Sequence, residues 1–353
     1  MKIGILTHHY INNYGAFLQA YALQKAISRL FPDDTVEIID YVNIRHFIIN
    51  AGGWFRFYKD MENFRCYLQK IKLPMTFAKA RKKSLKMSKR VFTAGQINRL
   101  AYDCIVVGSD EVWNYKDKKA NARVKFGEGL DCKNLIAYAP SVGKTAADDT
   151  LPDYVTEGIK RFKSLSARDD LTYELAGSVS GREVTRVLDP TFLADFKKAR
   201  LAASKKPYIL FYYCEKLPSS IRDQIFDYAK EHDLGIYGAG ECDKRYTQIT
   251  VNLRPFEWVE MFRNAEFVFT GTFHGAVFSI LGRRQFKVYL TNESRIKKVR
   301  ALLNELGIEN REIDRDFIFD LESQREEIDY NSVYDIIERK RRDSLDYLRT
   351  SIG

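Results

Sequence analysis

The sequence lacks any apolar stretch long enough to cross a bilayer: no run approaches the roughly 20 residues that a membrane-spanning helix needs. Its first residues, MKIGILTHHY, also lack the apolar core and small-residue cleavage site of a secretion signal. A hydrophobic fraction of 45% and a charged fraction of 29% are typical of a soluble globular protein. We therefore expect a cytoplasmic protein.

Residues that bind metals or form disulfides are scarce and scattered. There is no CxxC pair and no HExxH motif, so the sequence predicts no metal and no cofactor. A GxSxG elbow, a GxGxxG fingerprint and a P-loop lysine are also missing, which argues against serine hydrolysis and gives little support for NAD or ATP. The cysteines look like free thiols in a reducing compartment. They are Cys66, Cys104, Cys132, Cys214 and Cys242.

Positive charge is concentrated in one segment. The net charge is +10, and residues 45–90 hold 13 Lys or Arg but only two acids, so this segment accounts for the whole excess. The segment suits an acidic partner, such as an anionic membrane surface on the cytoplasmic side, or it forms a pair of solvated helices. Nucleic acid is the weaker reading, because no recognised binding module is present and the rest of the chain is nearly neutral.

Apolar strands alternate with amphipathic helices, which predicts α/β domains with parallel sheets. The pattern predicts a Rossmann-like domain over 1–200, interrupted by a basic helical insertion over 44–100, and a second Rossmann-like domain over 201–325. Within the insertion, Pro74 is expected to break one helix, and 77–92 to form another. A last helix over 326–353 is expected to pack across the domains. Two such domains facing a cleft are the predicted architecture.

Polar loops follow several predicted strands, and ligands bind beyond the carboxyl ends of strands in such sheets. Arg168 is suited to hold a carboxylate or phosphate, or else pairs with Asp169 or Asp170. In GSDEVWN, Ser109 and Asp110 either cap a helix or place a carboxylate near a substrate hydroxyl.

Two helix starts are candidate anion sites. His274 lies in GTFHGAVFSIL, where a strand runs into a helix, and an imidazole there can bind an anion or transfer a proton. The alternative is a histidine packed in the core. Downstream, Arg295 and Lys298 stand at another predicted helix start, where cations oppose the helix dipole, or form an ordinary exposed basic turn. The loop HHYINNYGAF offers a weaker site at Asn13, Tyr14 and Gly15.

Taken together, these motifs resemble the polysaccharide pyruvyl transferase family. The matching pieces, in order over about residues 1–310, are NYGAFLQAYALQ, VGSDEVWN, YAPSVG, SARDD, LDPTFL and TGTFHGAVFSIL, followed by SRIKKVRALLNELG.

The resemblance implies a fold like the GT-B glycosyltransferases, phosphoenolpyruvate as the donor substrate, and a pyruvate ketal on a glycan or a lipid-linked precursor. It implies that Arg168 and His274 hold the donor, with Arg295 matching a later basic position. Proton transfer is then expected from His274, and activation of the acceptor hydroxyl from Asp110.

Two departures from the family pattern leave other functions open. Glu111 stands where the family commonly has Gln, and Gly271-Thr272 stands where it often has Asp-Ser, which removes an acidic neighbour of His274. One alternative is a nucleotide-sugar glycosyltransferase on the same fold, with Glu293 on the ribose. The other is a non-catalytic glycan- or anion-binding protein.

Overall fold

The computed structural model describes residues 1–55, 64–143, 145, 149–199, 201, 206–214, 216–291, 293–314, 317–322 and 328–353, with the backbone alone at 51–55, 293 and 294. Within this part of the chain, no helix combines the length and the apolar character that a membrane crossing requires. The contacts between residues divide the chain into two compact units. Unit 1 comprises Met1–Phe55, Ala78–Asp195 and Glu338–Gly353, and unit 2 comprises Arg56–Phe77 and Phe196–Ile337.

Helices and strands alternate along most of the described chain, as the sequence predicts. The first part contains β1 (Lys2–Leu6), α1 (Tyr14–Leu30), β2 (Thr35–Ile38), α2 (Ile44–Phe55), α3 (Phe64–Lys70), α4 (Leu73–Ser84), α5 (Ala94–Asn98), β3 (Cys104–Val107), β4 (Asn134–Ala137), α6 (Asp153–Lys160), β5 (Ser166–Ala167), α7 (Asp170–Ser180) and β6 (Thr185–Arg186). The second part contains β7 (Tyr208–Tyr212), α8 (Ser219–Glu231), β8 (Gly235–Gly238), α9 (Pro255–Arg263), β9 (Phe267–Thr270), α10 (Phe273–Leu281), β10 (Gln285–Val288), α11 (Glu293–Glu305) and α12 (Tyr330–Ile352).

Unit 1 is built on a parallel sheet with the strand order β2-β1-β3-β4. A parallel bridge between Ile136 and Ser164 joins β4 to the segment that enters β5, which pairs in parallel with β6. The strands are short and almost wholly apolar because helices cover both faces of such a sheet. One cluster of the core surrounds Trp113, which is fully buried against Phe126 and Phe162.

The end of the chain belongs to the core of unit 1. In α12, the Tyr347 hydroxyl donates to the carbonyl of Ala137 at the end of β4 (2.8 Å), and Leu348 is fully buried. The Ser344 hydroxyl accepts a hydrogen bond from the Leu188 N–H (2.9 Å), and Arg341 donates to the Phe192 carbonyl (2.7 Å). Through these contacts, the last turns of α12 pack against the N-terminal sheet and the segments that follow it.

Unit 2 contains a second parallel sheet, with the strand order β10-β9-β7-β8. Its core is rich in aromatic side chains, with Phe211 stacked on Phe269 at 5.4 Å between ring centroids. Trp258 is fully buried, and its indole N–H donates to the carbonyl of Ala239 (2.9 Å). Both units are therefore α/β folds with parallel sheets, as the sequence predicts.

The basic segment contains two helices separated close to Pro74, as predicted, but the second has other bounds than expected. The first, α3, ends at Lys70, and Pro74 is the second residue of α4, where the missing N–H of proline costs no helical hydrogen bond. The helix predicted over 77–92 ends at Ser84. Beyond it, Met87 and Val91 form parallel bridges with Ile38 and Tyr41, so backbone pairing beside β2 replaces the helix. Residues 56–63 lie outside the described part.

The prediction that all five cysteines are free is wrong for two of them. Cys66 in α3 and Cys242, which follows β8, form a disulfide within unit 2. Their 176-residue separation left no pattern in the sequence by which to pair them. Among the described residues, Cys104, Cys132 and Cys214 take no part in a disulfide.

Candidate active site

The candidate site of unit 1 lies at the carboxyl edge of its sheet. The strand order reverses between β1 and β3, and such a reversal opens a crevice between the loops that follow the two strands. The loop after β1 carries His8 and His9, and the loop after β3 carries Ser109 and Asp110. The two loops touch, because the Thr7 hydroxyl donates to the Ser109 carbonyl (3.1 Å).

Arg168 follows β5 and joins this cluster through ion pairs. Its guanidinium donates to the carboxylates of Asp189 and Asp110, at 3.4 Å for Asp110, and to the Ser109 hydroxyl at 3.2 Å. Its side chain is only 5% exposed. Burial would lower the pKa of Arg168, but the carboxylates of Asp189 and Asp110 outweigh that effect and raise the pKa. The structure thus brings together three predicted site residues.

Asp169 and Asp170, the alternative partners expected for Arg168, form no ion pair with it among the described residues. Asp169 instead accepts hydrogen bonds from the backbone N–H and the hydroxyl of Thr172 and caps α7. Asp170 pairs with Arg186. The two acids next to Arg168 in sequence thus have other partners, and the carboxylates that pair with Arg168 come from the segments that hold Asp110 and Asp189.

Asp110 has an unusual backbone conformation. Its φ of +76° lies in the left-handed region, which non-glycine residues rarely occupy. The side chain of Asp110 is 18% exposed. Non-glycine residues in this region cluster at ligand-binding sites, where the surrounding structure holds them against the strain. The geometry therefore favours the functional interpretation of Asp110 over the helix-cap interpretation, and Asp110 follows β3 without starting an α-helix.

Lys125 is a member of this cluster that the sequence did not reveal. It is 2% exposed, and its ammonium group lies 3.2 Å from Nδ1 and 3.3 Å from Nε2 of His8. Burial lowers the pKa of Lys125 to about 7, against the opposing effect of the carboxylates of Asp110 and Asp117. Burial and the charge of Lys125 also lower the pKa of His8 to about 3. A buried lysine that titrates near neutral pH is suited to proton transfer.

The fold positions Lys125 through its backbone. Its carbonyl accepts a hydrogen bond from the indole N–H of Trp113 (3.0 Å), and Val124 and Phe126 on either side are buried. The only sequence signal is therefore a lysine between two apolar residues. Because lysine in loops is ordinarily exposed, that signal does not single out Lys125.

A second set of buried histidines extends the cluster toward α2. His9 Nε2 lies 3.0 Å from the Asp40 carboxylate, which Arg90 also contacts at 3.0 Å. His46 in α2 lies 2.8 Å from the Tyr10 hydroxyl, and its ring meets that of His8 edge-on at 6.0 Å between centroids. Burial, followed by the charge of Lys125, lowers the pKa of His46 to about 4. The carboxyl edge of unit 1 therefore concentrates titratable groups.

The predicted site at Asn13, Tyr14 and Gly15 is the start of α1. Asn13 is the N-cap, and its side chain accepts a hydrogen bond from the Ala16 N–H (3.0 Å). Tyr14 and Gly15 are buried in the first turn. Asn13 thus has a structural role as a cap, and the binding role of the three residues stays a prediction.

In unit 2, His274 is the second residue of α10, and the turn before it is tightly packed. Thr272 caps the helix by accepting from the Gly275 N–H (3.0 Å). A Cβ at Gly271 would lie 2.4 Å from the Tyr213 carbonyl oxygen and 3.0 Å from that of Tyr289. The position where the family often carries Asp is therefore filled by neighbouring backbone here. His274 is half-buried at this helix start.

Arg295 also lies at the carboxyl edge of the second sheet. It is the third residue of α11, which confirms the predicted helix start, and its guanidinium lies 5.2 Å from the ring centroid of Tyr213. Tyr213 directly follows β7 and has a left-handed φ of +56°. Glu241, after β8, accepts from the Tyr213 N–H. Lys298, one turn further along α11, is half-buried.

Comparison with known proteins identifies the fold. The structure is similar to that of UGT89C1 from Arabidopsis thaliana, with a TM-score of 0.52 and 11% identity over 99% of each chain. It also resembles UGT71G1 from Medicago truncatula in complex with UDP-glucose, with a TM-score of 0.49 and 9% identity over 100% of this chain and 97% of that one. The likeness to UGT89C1, a GT-B glycosyltransferase, shows that the chain has a GT-B-like fold of two Rossmann-like units.

Sequence comparison identifies the family. No curated protein matches the chain. The model of the family described as polysaccharide pyruvyl transferase matches residues 13–289, well over half of the chain. The matched region contains Asp110, Lys125, Arg168 and His274, and ends before Arg295. The chain therefore belongs to the polysaccharide pyruvyl transferase family.

Proposed function

We propose that the chain transfers the pyruvyl group of phosphoenolpyruvate to two hydroxyls of a sugar or lipid-linked saccharide, forming a pyruvate ketal. The family supports the transferase class. The observation that carries the chemistry is the contact between the Lys125 ammonium group and His8, with Asp110 and Arg168 in the same strand-end cluster. Within this cluster Lys125, with a pKa of about 7, is the group that can give and take a proton near neutral pH.

In the proposed reaction, one C–H and two C–O bonds form, and the two acceptor hydroxyls release two protons. The methylene carbon of the donor gains a proton and becomes a methyl group. The first acceptor hydroxyl then attacks the neighbouring carbon, the bond from that carbon to the phosphate oxygen breaks, and the second hydroxyl closes the ketal. Of the two protons that the hydroxyls release, one replaces the proton given to the methylene and the other leaves with inorganic phosphate.

We assign Asp110 to the acceptor hydroxyl and propose Lys125, in place of the predicted His274, for proton transfer. The Asp110 carboxylate lies 3.4 Å from the Arg168 guanidinium, and a carboxylate can accept the proton of a hydroxyl. Asp189 and Asp110 already compensate the charge of Arg168, so we propose that Arg168 mainly positions Asp110, in addition to its predicted contact with the donor. His274, Arg295 and Lys298 remain our predicted donor ligands, because phosphoenolpyruvate carries a phosphate and a carboxylate that cations must offset.

Donor identity is tested by ligand stabilisation of the purified chain. Phosphoenolpyruvate at 100 times its Kd should stabilise the fold by about 2.7 kcal/mol, which raises Tm, whereas UDP-glucose should leave Tm unchanged. The control ligand 2-phosphoglycerate has the same charged groups without the enol. A shift with UDP-glucose and none with phosphoenolpyruvate would instead establish a nucleotide-sugar transferase.

The roles of the unit 1 residues are tested by phosphate release with a lipid-linked saccharide acceptor. Asp110→Asn and Lys125→Met should each lower turnover by about 10²-fold or more, since acid–base groups contribute that much. The control is Lys133→Met, an exposed lysine before β4 at the opposite edge of the same sheet. Equal turnover in Lys125→Met and Lys133→Met would remove Lys125 from the mechanism. The proposed reaction needs no metal, so EDTA should not change the rate.

The charge of residues 45–90 supports one further element of the proposal. A lipid-linked acceptor would be reached at the inner surface of the membrane, and a segment rich in Lys and Arg is attracted to anionic lipids there. We propose a cytoplasmic protein in peripheral contact with that surface.

A further inference from the structure

Helix α2 presents its apolar side outward. Ile44, Phe47 and Ile48 are 55%, 48% and 62% exposed, and their spacing of three and four residues puts them on one face of the helix. We call these three residues the apolar face. The helix of a globular protein ordinarily turns its apolar side to the core, so residues 44–50 of α2, whose side chains the structure describes, have the reverse orientation. Large side chains that are exposed together mark a surface that contacts something apolar.

The opposite side of α2 is polar and anchored in unit 1. His46 is buried and hydrogen-bonded to Tyr10, and the Asn43 side chain, at the start of the helix, donates to the carbonyl of Asn121 (3.1 Å). These contacts fix which side of the helix faces outward, so the exposure of the apolar face follows from the fold of unit 1.

Exposed cations lie on the segments next to α2. Residues 87–91 run beside 38–42, with the Val42 N–H donating to the Val91 carbonyl (3.0 Å), and the loop 117–121 contacts Asn43. The acids of these segments are engaged: Asp40 pairs with His9 and Arg90, and Asp117 accepts from the Lys119 N–H (2.9 Å). The exposed cations, which we call the cation group, are Arg45, Lys89, Arg90, Lys118 and Lys119.

We propose that the apolar face of α2 inserts into the headgroup region of an anionic bilayer while the cation group contacts lipid phosphates. An interfacial helix of this kind combines buried apolar area with attraction to anionic lipids, and the two features lie side by side here. A protein partner would need an apolar surface ringed by acids, whereas an anionic bilayer supplies both at once.

The surface also lies beside the catalytic cluster of unit 1. The inner side of α2 carries His46, whose ring contacts that of His8. A helix docked on the bilayer would therefore bring a lipid-linked acceptor to the edge of the sheet that holds Asp110 and Lys125. This inference specifies the proposed membrane contact. Only the delivery of a lipid-linked acceptor rests on the proposed function.

The test is co-sedimentation of the full chain with vesicles. Vesicles of phosphatidylcholine with about 30% of the anionic lipid phosphatidylglycerol should bind the chain. Phosphatidylcholine alone should bind it at least tenfold more weakly, and raising the salt from about 0.1 to 0.5 M should also weaken binding, because salt screens the attraction. Equal binding to both vesicle types, or no binding to either, would overturn the proposal.

Matched variants separate the two parts of the surface. Phe47→Ser with Ile48→Ser should lower vesicle binding at least tenfold, and Ile318→Ser, which alters a side chain 73% exposed in unit 2, should not. Lys118→Glu with Lys119→Glu should also lower vesicle binding at least tenfold. The control, Lys133→Glu with Lys163→Glu, changes exposed lysines near the amino ends of β4 and β5 and should leave binding unchanged. Full vesicle binding by either pair of test substitutions would contradict membrane insertion. So would a result in which soluble dextran sulfate displaces the Phe47 and Ile48 variant from vesicles to the same extent as the wild type.

Binding and turnover are measured apart. Circular dichroism checks that each surface variant keeps the fold. If the variants lose vesicle binding but phosphoenolpyruvate fails to stabilise the chain, the docking surface stands and the proposed function falls. If phosphoenolpyruvate stabilises the chain but vesicles do not bind it, the docking surface falls alone.

Discussion

At the scale of single residues, the groups that matter most at the carboxyl edge of unit 1 are those placed against their ordinary preference. Lys125 is buried, and Asp110 holds a left-handed backbone. Both features cost stability, and proteins retain such costs where a site needs them. The motif around Asp110 could be found from the sequence because a polar loop follows an apolar strand. Lys125 could not, because its environment is made by residues brought from β1 and β3.

The cost of burying Lys125 gives a prediction. With a pKa of about 7 in the fold and an ordinary value of 10.5, the unfolded chain binds more protons between these two pH values, so stability rises with pH across that window. Lys125→Met should therefore be more stable than the wild type by roughly 2–4 kcal/mol at pH 7. The gain should shrink as the pH approaches 10. Denaturant unfolding at pH 7, 8.5 and 10 measures it.

Lys133→Met serves as the control for this series, because Lys133 is exposed. A Lys125→Met variant that is less stable than the wild type at pH 7, or whose advantage does not vary with pH, would show that Lys125 is held as a stabilising ion pair. Combined with the loss of turnover expected above, a gain in stability would mark Lys125 as a group kept for function.

At the scale of the elements, the turn from β9 into α10 shows why a family motif need not transfer residue by residue. The sequence GTFHG predicts a helix start next to His274 at the end of a strand. Threonine before an apolar periodic run is a typical helix cap. The consequence of Gly271 was not predictable, because the Tyr213 and Tyr289 carbonyls that crowd it come from the ends of two other strands. Pairing between strands decides what fits there.

Substitution of Gly271 tests this packing. Gly271→Ala should lower the free energy of unfolding by about 1–3 kcal/mol, since the new Cβ would meet two backbone oxygens that cannot rotate away. Gly271→Asp, which restores the acid common in the family, should be destabilised at least as much and should not raise activity.

The matched control for Gly271 is Gly95→Ala in α5, where no atom lies within 4 Å of the added Cβ. There the same change should be neutral or stabilising by up to about 1 kcal/mol, because alanine restricts the unfolded chain and favours the helix. Thermal unfolding of the two variants side by side decides the matter. A Gly271→Asp variant as stable as the wild type would show that the turn tolerates the family motif without strain.

At the scale of the whole molecule, the α/β class and the family could be inferred from the order of strands, helices and motifs. What the order does not contain is which distant segments share a core. The Cys66–Cys242 disulfide joins residues of unit 2 that are 176 positions apart, and residues 338–353 complete unit 1 although they follow unit 2 in the chain. Long-range packing decides which unit a segment belongs to, and the local periodicity of the sequence does not show such packing.

The role of the chain end in unit 1 gives the last prediction. Leu348→Ala should cost about 2–5 kcal/mol, the range for truncating a buried leucine, because Leu348 is fully enclosed. Arg342→Ala, on an exposed side of the same helix, should change stability by less than about 0.5 kcal/mol. Hydrogen exchange locates the damage: amides of β3 and β4 should exchange faster in Leu348→Ala, whereas those of β9 should not. Faster exchange in β9 alone would mean that the end of α12 stabilises unit 2 rather than the sheet that carries Asp110.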